Sequence, residues 1–541
     1  MSLSDRRIFI VHNPYVGMMA FEKKKINGRI YLYEVKFTWD KEAKRSRKQT
    51  VRYLGRCDAD GNILSPPKAR VDSVHSAFPA GSLSVFYSMA EKLNVKKHIE
   101  EALSVDAPTA SLVLSISLNQ IVPRLPLSRL PGWILSSPLA EWEGIEHVER
   151  SELDEALSAL CHYTPFGTLE DSGLVLQQLL TKEWRGKSHE PASYHYDITK
   201  QEYFGDMCPY AAMGHAFDRS IKNVVGFGLV TSKVHHHPVL CRAVNGSRND
   251  TVTVKDTIST LKAFGFEHLT LIMDRGMVSR ENIETVVQSG YDQIGIVKEN
   301  NTETWEYLSK WPSTLQQPQF VVAHPSGETA YARAWTGQLM EKRMRLAIVE
   351  HPELRAHEKG ARDLALNELD GHPTDDRLKE LKDELKDVIT PARGRRGFTV
   401  NSEAVGEEAK RDGRFLMFST DMSVDANDMF TIYFQRDSIE KAFRTAKGEL
   451  SLAPLRYRRK DRIDAYTTVL YIAYLLWSWA EHTLRDKFPR MTLQQALNSL
   501  SDVSIVSFQS DKSTHRWTTR LTDEQEKLLN LFGATKYLPH P

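Results

Sequence analysis

Tyr433-Phe434-Gln435-Arg436-Asp437-Ser438-Ile439-Glu440-Lys441-Ala442-Phe443-Arg444-Thr445-Ala446-Lys447 is the stretch on which the reading of this chain turns. Tyr433, Arg436, Glu440, Arg444 and Lys447 recur every three or four residues, the spacing that puts them on one face of a helix. Ile439, Phe443, Ala446 and Leu450 make an adjoining apolar stripe able to dock on a core. The predicted helix presents one carboxylate among three cations and a phenol. Cations in that arrangement suit a polyanion, and the carboxylate suits a divalent metal. A solvated face with i,i+4 ion pairs, such as Glu440 with Arg436 or Arg444, is the plain alternative.

Two apolar runs upstream each end in an aspartate, Tyr194-His195-Tyr196-Asp197 and His268-Leu269-Thr270-Leu271-Ile272-Met273-Asp274. The second reads as a buried strand, and Asp274-Arg275-Gly276 as the turn at its carboxyl end. Asn223–Thr231 and Pro238–Val244 are strand-like, joined by a link short enough for a hairpin. Asp250–Phe264 reads as a helix with Val254, Ile258, Leu261 and Ala263 apolar. Ser279 can cap a helix ending at Gly290, and Asp292–Lys298 is a further strand. The predicted order is strand, strand, strand, helix, strand, helix, strand.

That order, with carboxylates ending the first and fourth strands and a third on a late helix, resembles the ribonuclease-H-like fold of DDE transposases. The spacing of Tyr433, Arg436, Glu440 and Lys447 is similar to the Tyr-Arg-Glu-Lys signature of insertion-sequence transposases, in the insertion sequence four superfamily and its sixteen-thirty-four-like branch. The resemblance covers roughly residues 190 to 485. It implies a transposase that cuts DNA at transposon ends and joins them to target DNA by two-metal phosphodiester chemistry. Asp197, Asp274 and Glu440 would be the catalytic and metal-holding triad for two Mg2+ ions, with Mn2+ able to substitute. Tyr433, Arg436, Arg444, Lys447 and Arg458 would contact DNA. Implied partners are duplex DNA with terminal inverted repeats, target DNA and a second copy of the chain on paired ends. Trp305, Trp311 and Trp335 are candidates for stacking a flipped base, though each also reads as a packing tryptophan. A non-catalytic DNA-binding descendant, or a simple ribonuclease-H-like nuclease, are the alternatives. The second leaves the basic front module and the signature cations without a role.

The expected architecture is multidomain α/β: a ribonuclease-H-like core interrupted by a long α+β insertion and preceded by a small β module and a helical domain. At 541 residues the chain exceeds one core. Residues 1–65 form a basic β-hairpin module, with about nine more basic than acidic residues up to Arg56. There Tyr31, Tyr33, Val35, Phe37 and Trp39 alternate, and Lys48–Leu54 supplies the return strand. Residues 70–185 read as helical and are the candidate end-recognition domain. The core follows in two parts, 190–298 and 430–485, around an insertion at 299–429. In the insertion, Leu378, Leu381, Leu385 and Val388 suggest a helical hairpin or short coiled coil. Residues 486–541 read as helical.

Charge is balanced, with 71 Lys and Arg against 70 Asp and Glu, so DNA-binding cations must be concentrated locally. Cys57, Cys161, Cys208 and Cys241 lack C-x-x-C spacing, which argues against a zinc module or disulfide framework and fits a reducing compartment. No signal peptide is visible. Val469–Ala480 is the most apolar run, shorter than a bilayer requires and better read as a core helix. Together these predict a cytoplasmic protein with no membrane partner, and the resemblance implies that it is nucleoid-associated in a prokaryote. Arg456, Arg458, Arg459, Lys460 and Arg462 could track DNA or form a solvated charge run. His235-His236-His237 hints at soft-metal binding but has no acidic or cysteine partner nearby in sequence.

Overall fold

The computed structural model describes residues 8–11, 19–40, 45–65, 73–215, 220–247, 250–298, 302–310, 315–323, 327–370, 375–391, 398–434, 445, 448, 450, 455, 457–510 and 513–539. They fall into two compact units, one from Met1–Ala77 with Ile505–Thr518, the other from Phe78–Ser504 with Thr519–Pro539.

The smaller unit is built on the alternating N-terminal pattern. Arg29–Asp40 and Arg45–Cys57 pair antiparallel as the predicted hairpin, at the centre of a five-stranded sheet with Ile8–Val11, Met19–Ile26 and Ile63–Ser65. A three-stranded sheet joins Ser73–Pro79 to a second hairpin, Ser504–Ser510 with Ser513–Thr518. The C-terminal stretch expected to be helical therefore also contains strands. Its helices, Leu493–Ser499 and Asp523–Phe532, each begin with a capping box, Thr492 with Gln495 and Thr522 with Gln525.

In the larger unit, seven helices lie between Gly81 and Lys187 among the described residues. Four of them, Gly81–Lys92, Ala107–Asn119, Arg150–Leu160 and Ser172–Lys187, contact Lys460–Arg485, a 26-residue helix that also packs on the Pro238–Asn245 strand. Val469–Ala480 lies inside this helix and is buried almost throughout, so the apolar run is a core element. Among the described residues no helix is long and apolar enough to cross a membrane.

The sheet of this unit carries the site. Ser193–Glu202 pairs antiparallel with Ile221–Ser232, which pairs antiparallel with Pro238–Asn245. On its other edge Ser193–Glu202 pairs parallel with Thr270–Met273, and that strand with Asp292–Ile296. Helices Asp250–Ala263 and Arg280–Gln288 connect them, the second capped by Ser279 as expected. Counted in chain order, these five strands lie third, second, first, fourth, fifth across the sheet. A short strand, Ala212–His215, adds to the end of Ile221–Ser232.

The insertion continues the same sheet. Arg414–Ser419, Lys342–Glu350, Thr329–Leu339 and Val321–Ala323 follow Asp292–Ile296 in turn, all antiparallel. An open edge beside Asp292–Ile296 would expose unpaired backbone, and the returning Arg414–Ser419 strand, buried at every residue, covers it. Ile272, Ile294, Ala347, Val349, Met417, Met429, Phe430 and Tyr433 share one apolar cluster, so the insertion and the core have a common interior. The predicted Leu stripe is also seen. Leu381, Leu385 and Val388 are buried against Ala365 of the Pro352–Asp370 helix, which makes them the inside of a helical hairpin.

Candidate active site

Strand register brings the two aspartates together. Thr270–Met273 and Ser193–Glu202 run parallel, matched from Thr270↔Ser193 to Met273↔Tyr196. Asp197 is the next residue of its strand, and Asp274 is the residue just past the end of the other. Neighbouring strands lie about 4.8 Å apart, so the register continued by one residue sets their backbones beside each other. One expectation is corrected here: Asp197 does not end its strand. Ser193–Glu202 continues five residues beyond it, held on its other edge by Ile221–Ser232, with Asp197 opposite Leu229. The apolar alternation that marked the strand stops at Tyr196, but backbone pairing on one edge persists. What ends beside Asp197 is its parallel neighbour, which turns away at Asp274 into the Arg275–Met277 helical turn. Each carboxylate accepts the N–H of the residue that follows it, Asp197 from Ile198 at 2.8 Å and Asp274 from Arg275 at 2.7 Å. Both residues are half-buried.

Arg436, Glu440, Arg444 and Lys447 lie outside the described residues. The helix before them is described over Ala426–Phe434 and includes Tyr433. Tyr433 departs from the solvated polar face expected of it. It is 6% exposed, belongs to the shared apolar cluster and stands edge-on to Phe434. A tyrosine ring is mostly apolar area, and the helical period alone could not tell a phenol facing water from one facing a core. Tyr433 and Asp274 nevertheless line one cavity of about 490 Å³, together with Arg275, Arg411, Arg414 and Phe415.

The walls of that cavity are fixed by ion pairs that the sequence did not reveal. Glu350, fully buried, accepts from Arg414 at 2.8 Å, from Arg355 at 3.2 Å and from the Leu315 N–H at 3.2 Å. Burial acts to raise its pKa, but these partners hold it below the usual carboxylate range. Arg362 grips Asp412 with both guanidinium arms, and Gly413 N–H donates to Glu358 at 2.7 Å. Burial pushes Glu408 upward. Arg411 lies flat over Trp305, 3.2 Å from the ring centre. Trp335 packs near Tyr307, and Trp311 lies outside the described residues.

The cationic run after the signature is divided. Lys460 donates to Asp464 and to Tyr210, each at 2.7 Å, Arg459 pairs with Asp461, and Arg462 donates to the Asp154 carbonyl at 2.7 Å. Arg458 is exposed, within electrostatic reach of Tyr203. Arg456 is outside the described residues. The histidine triplet gains partners from far along the chain. His237 is buried, with Nδ1 3.0 Å from Ser478 Oγ and Nε2 3.3 Å from His482 Nδ1, while His235 stacks on His482 at 3.5 Å. Burial first, then the neighbouring imidazoles, lower the pKa of His237 well below normal. Among the described residues no group of three or more His, Cys, Asp or Glu side chains is placed to hold a metal ion.

Residues 224–476 match the transposase DDE domain. The matched segment is just under half of the chain, begins after Asp197 and contains both Asp274 and Glu440. It supports transposase function. Among curated proteins, none matches the chain in sequence. A solved structure, a piggyBac transposase synaptic complex with hairpin DNA, aligns over 84% of this chain and 80% of its own, with 10% identity and a TM-score of 0.38. That similarity is too low to carry fold or function across.

Proposed function

We propose that this chain is a DDE transposase with a ribonuclease-H-like core, which cleaves DNA at transposon ends and transfers the freed strands into target DNA. The reading is supported by the Met273↔Tyr196 register, one residue short of Asp274 and Asp197, and by the transposase DDE match, which contains Asp274 and begins after Asp197. The order of the five strands supports the ribonuclease-H-like assignment.

Two adjacent carboxylates form an oxygen-only donor set, which fits a hard divalent cation such as Mg2+ or Mn2+. Asp197 and Asp274 would hold it, with Glu440 as the third ligand from the signature helix. When bound, such ions lower the pKa of the attacking oxygen and stabilise the leaving one. The chain's own residues do the rest. The backbone N–H groups of Ile198 and Arg275 orient the two carboxylates. Arg436, Arg444, Lys447 and exposed Arg458 supply cations for backbone phosphates. In hydrolysis, water oxygen attacks phosphorus in line, the P–O3′ bond breaks, and a 3′-hydroxyl and a 5′-phosphate result. In strand transfer that 3′-hydroxyl attacks a target phosphate in the same geometry, a new P–O3′ bond forms as the target's own P–O3′ bond breaks, and the target strand is left with a 3′-hydroxyl. We place the reaction on a homodimer holding paired ends, in a prokaryotic cytoplasm.

The test is incubation of the chain with Mg2+ and DNA carrying its element's inverted-repeat ends. Cleavage exposing a 3′-hydroxyl, and its loss in Glu440→Gln with end binding retained, are expected. Binding without cleavage in either Mg2+ or Mn2+ would instead favour a non-catalytic DNA-binding protein. Cleavage without joining would favour a simple nuclease.

A further inference from the structure

The two longest strands of the N-terminal sheet outrun their neighbours. Met19–Ile26 pairs with Arg29–Asp40 only as far as Met19↔Lys36. Beyond Lys36↔Gln49 the two long strands continue through Phe37↔Lys48, Thr38↔Arg47, Trp39↔Ser46 and Asp40↔Arg45, with no third strand among the described residues. Four more pairs at about 3.4 Å per residue make a ribbon projecting about 14 Å. Residues 46–52 of the return strand are exposed at every position, hence on both faces. A strand packed on a core along this length would alternate between buried and exposed residues, and the return strand does not.

Its two faces differ. Paired residues share a face, which places Lys36, Arg47 and Gln49 together and Phe37 with Lys48 on the other. Lys48 already donates to buried Glu22 at 2.8 Å, which makes the second face an internal one closer to the sheet. Residues 36–48 contain six Lys or Arg against Asp40 and Glu42.

We infer that this ribbon enters the major groove of duplex DNA with its Arg47 face toward the base edges, and that Gln49 and Lys36, at its base on the same face, reach the bases that follow. The inference rests on the proposed transposase function and adds where the duplex is read. The major groove, about 12 Å wide, admits a two-stranded ribbon and shows a distinct donor and acceptor pattern for each base pair, whereas the minor groove distinguishes little beyond A·T from G·C. The deep, narrow major groove of A-form RNA shuts it out. Arginine and lysine match the O6 and N7 acceptors of guanine, and glutamine matches the N6 and N7 of adenine. This set of side chains therefore reads sequence as well as charge.

The experiment selects bound duplexes from a random-sequence library with the full chain in chelator, so that no cleavage occurs. The wild type is expected to enrich a motif, with binding blocked by methylation of guanine N7, a major-groove atom. Arg47→Ala and Gln49→Ala should each lose preference by about 5- to 150-fold at one or two adjacent positions, with the rest of the motif and the melting temperature unchanged. Arg47→Lys, which keeps the charge but not the fork, should lose the same preference while keeping the salt dependence. An unchanged motif in all three variants, a uniform weakening at every position, or a wild type that enriches nothing would each overturn the inference. A chain that reads a motif through these residues yet never cuts DNA with Mg2+ would contradict the transposase reading and leave the ribbon standing.

Discussion

Asp274→Asn should make the metal-free protein more stable while removing its activity. Tyr196 and Met273 are paired on parallel strands, so the residues that follow them, Asp197 and Asp274, have backbones about 5 Å apart. Two unit charges at that distance repel by about 0.8 kcal/mol at the dielectric constant of water and about 3 kcal/mol at an effective value of 20. Both groups are half-buried and cations stand close by, Arg275 among them, so a net penalty of about 1 kcal/mol is the reasonable figure. Asparagine removes the charge but keeps a carbonyl to accept the Arg275 N–H. For a chain this long, about 1 kcal/mol raises the melting temperature by about 1–2 °C. Melting is followed by calorimetry in chelator and again in 10 mM Mg2+. The wild type should gain about 1–1.5 kcal/mol from Mg2+ if its dissociation constant is about 1 mM, and the variant should gain much less. If Asp274→Asn melts below the wild type in chelator, or if Mg2+ raises both equally, the two carboxylates are not a strained, metal-ready pair.

Three further outcomes are expected. Glu350→Ala removes the buried carboxylate to which Arg414 and Arg355 donate and should cost about 3–5 kcal/mol by denaturant melting, whereas Glu350→Gln should cost less. Arg436→Ala and Lys447→Ala should weaken transposon-end binding and each reduce the slope of log affinity against log salt by about one, with little change in melting temperature; unfolding in either would assign that residue to the fold. His482 has its pKa lowered, chiefly by burial and then by His235. The unfolded chain therefore binds more protons below about pH 6.5, and stability present above that pH is lost as pH falls toward the folded value. His482→Asn should flatten the acid side of the stability profile by up to about 1.4 kcal/mol per pH unit, read from urea midpoints between pH 7 and 5.

What the sequence disclosed follows from how locally each feature is encoded. The core strands were legible because short apolar runs bounded by turn residues have few other readings, and Asp274 was legible because Asp-Arg-Gly follows such a run. Asp197 was found for the same reason, yet its place in the strand was misjudged. Residues 198–202 keep backbone pairing on one edge while their side chains lose the apolar pattern. The burial of Tyr433 was not legible, because a helical period groups residues on a face without saying what that face meets. Glu350, Arg414 and Arg362 gave no local signal at all, since each acquires its meaning from a strand or loop up to 64 residues away. The histidine triplet seemed partnerless because His482 and Ser478 lie more than 240 residues downstream. The C-terminal hairpin was hidden similarly: its sheet partner, Ser73–Pro79, is at the other end of the chain.

The central claim is that Asp197 and Asp274 hold one divalent metal between them for phosphodiester chemistry. Anomalous diffraction at the manganese edge, from crystals of the chain grown with cleaved end DNA and Mn2+, tests it directly. A manganese peak is expected within coordination distance of a carboxylate oxygen from each aspartate, with Glu440 ligating the same ion or a second one about 3.5–4 Å away. Manganese bound elsewhere, with both aspartates empty and DNA in place, would contradict it.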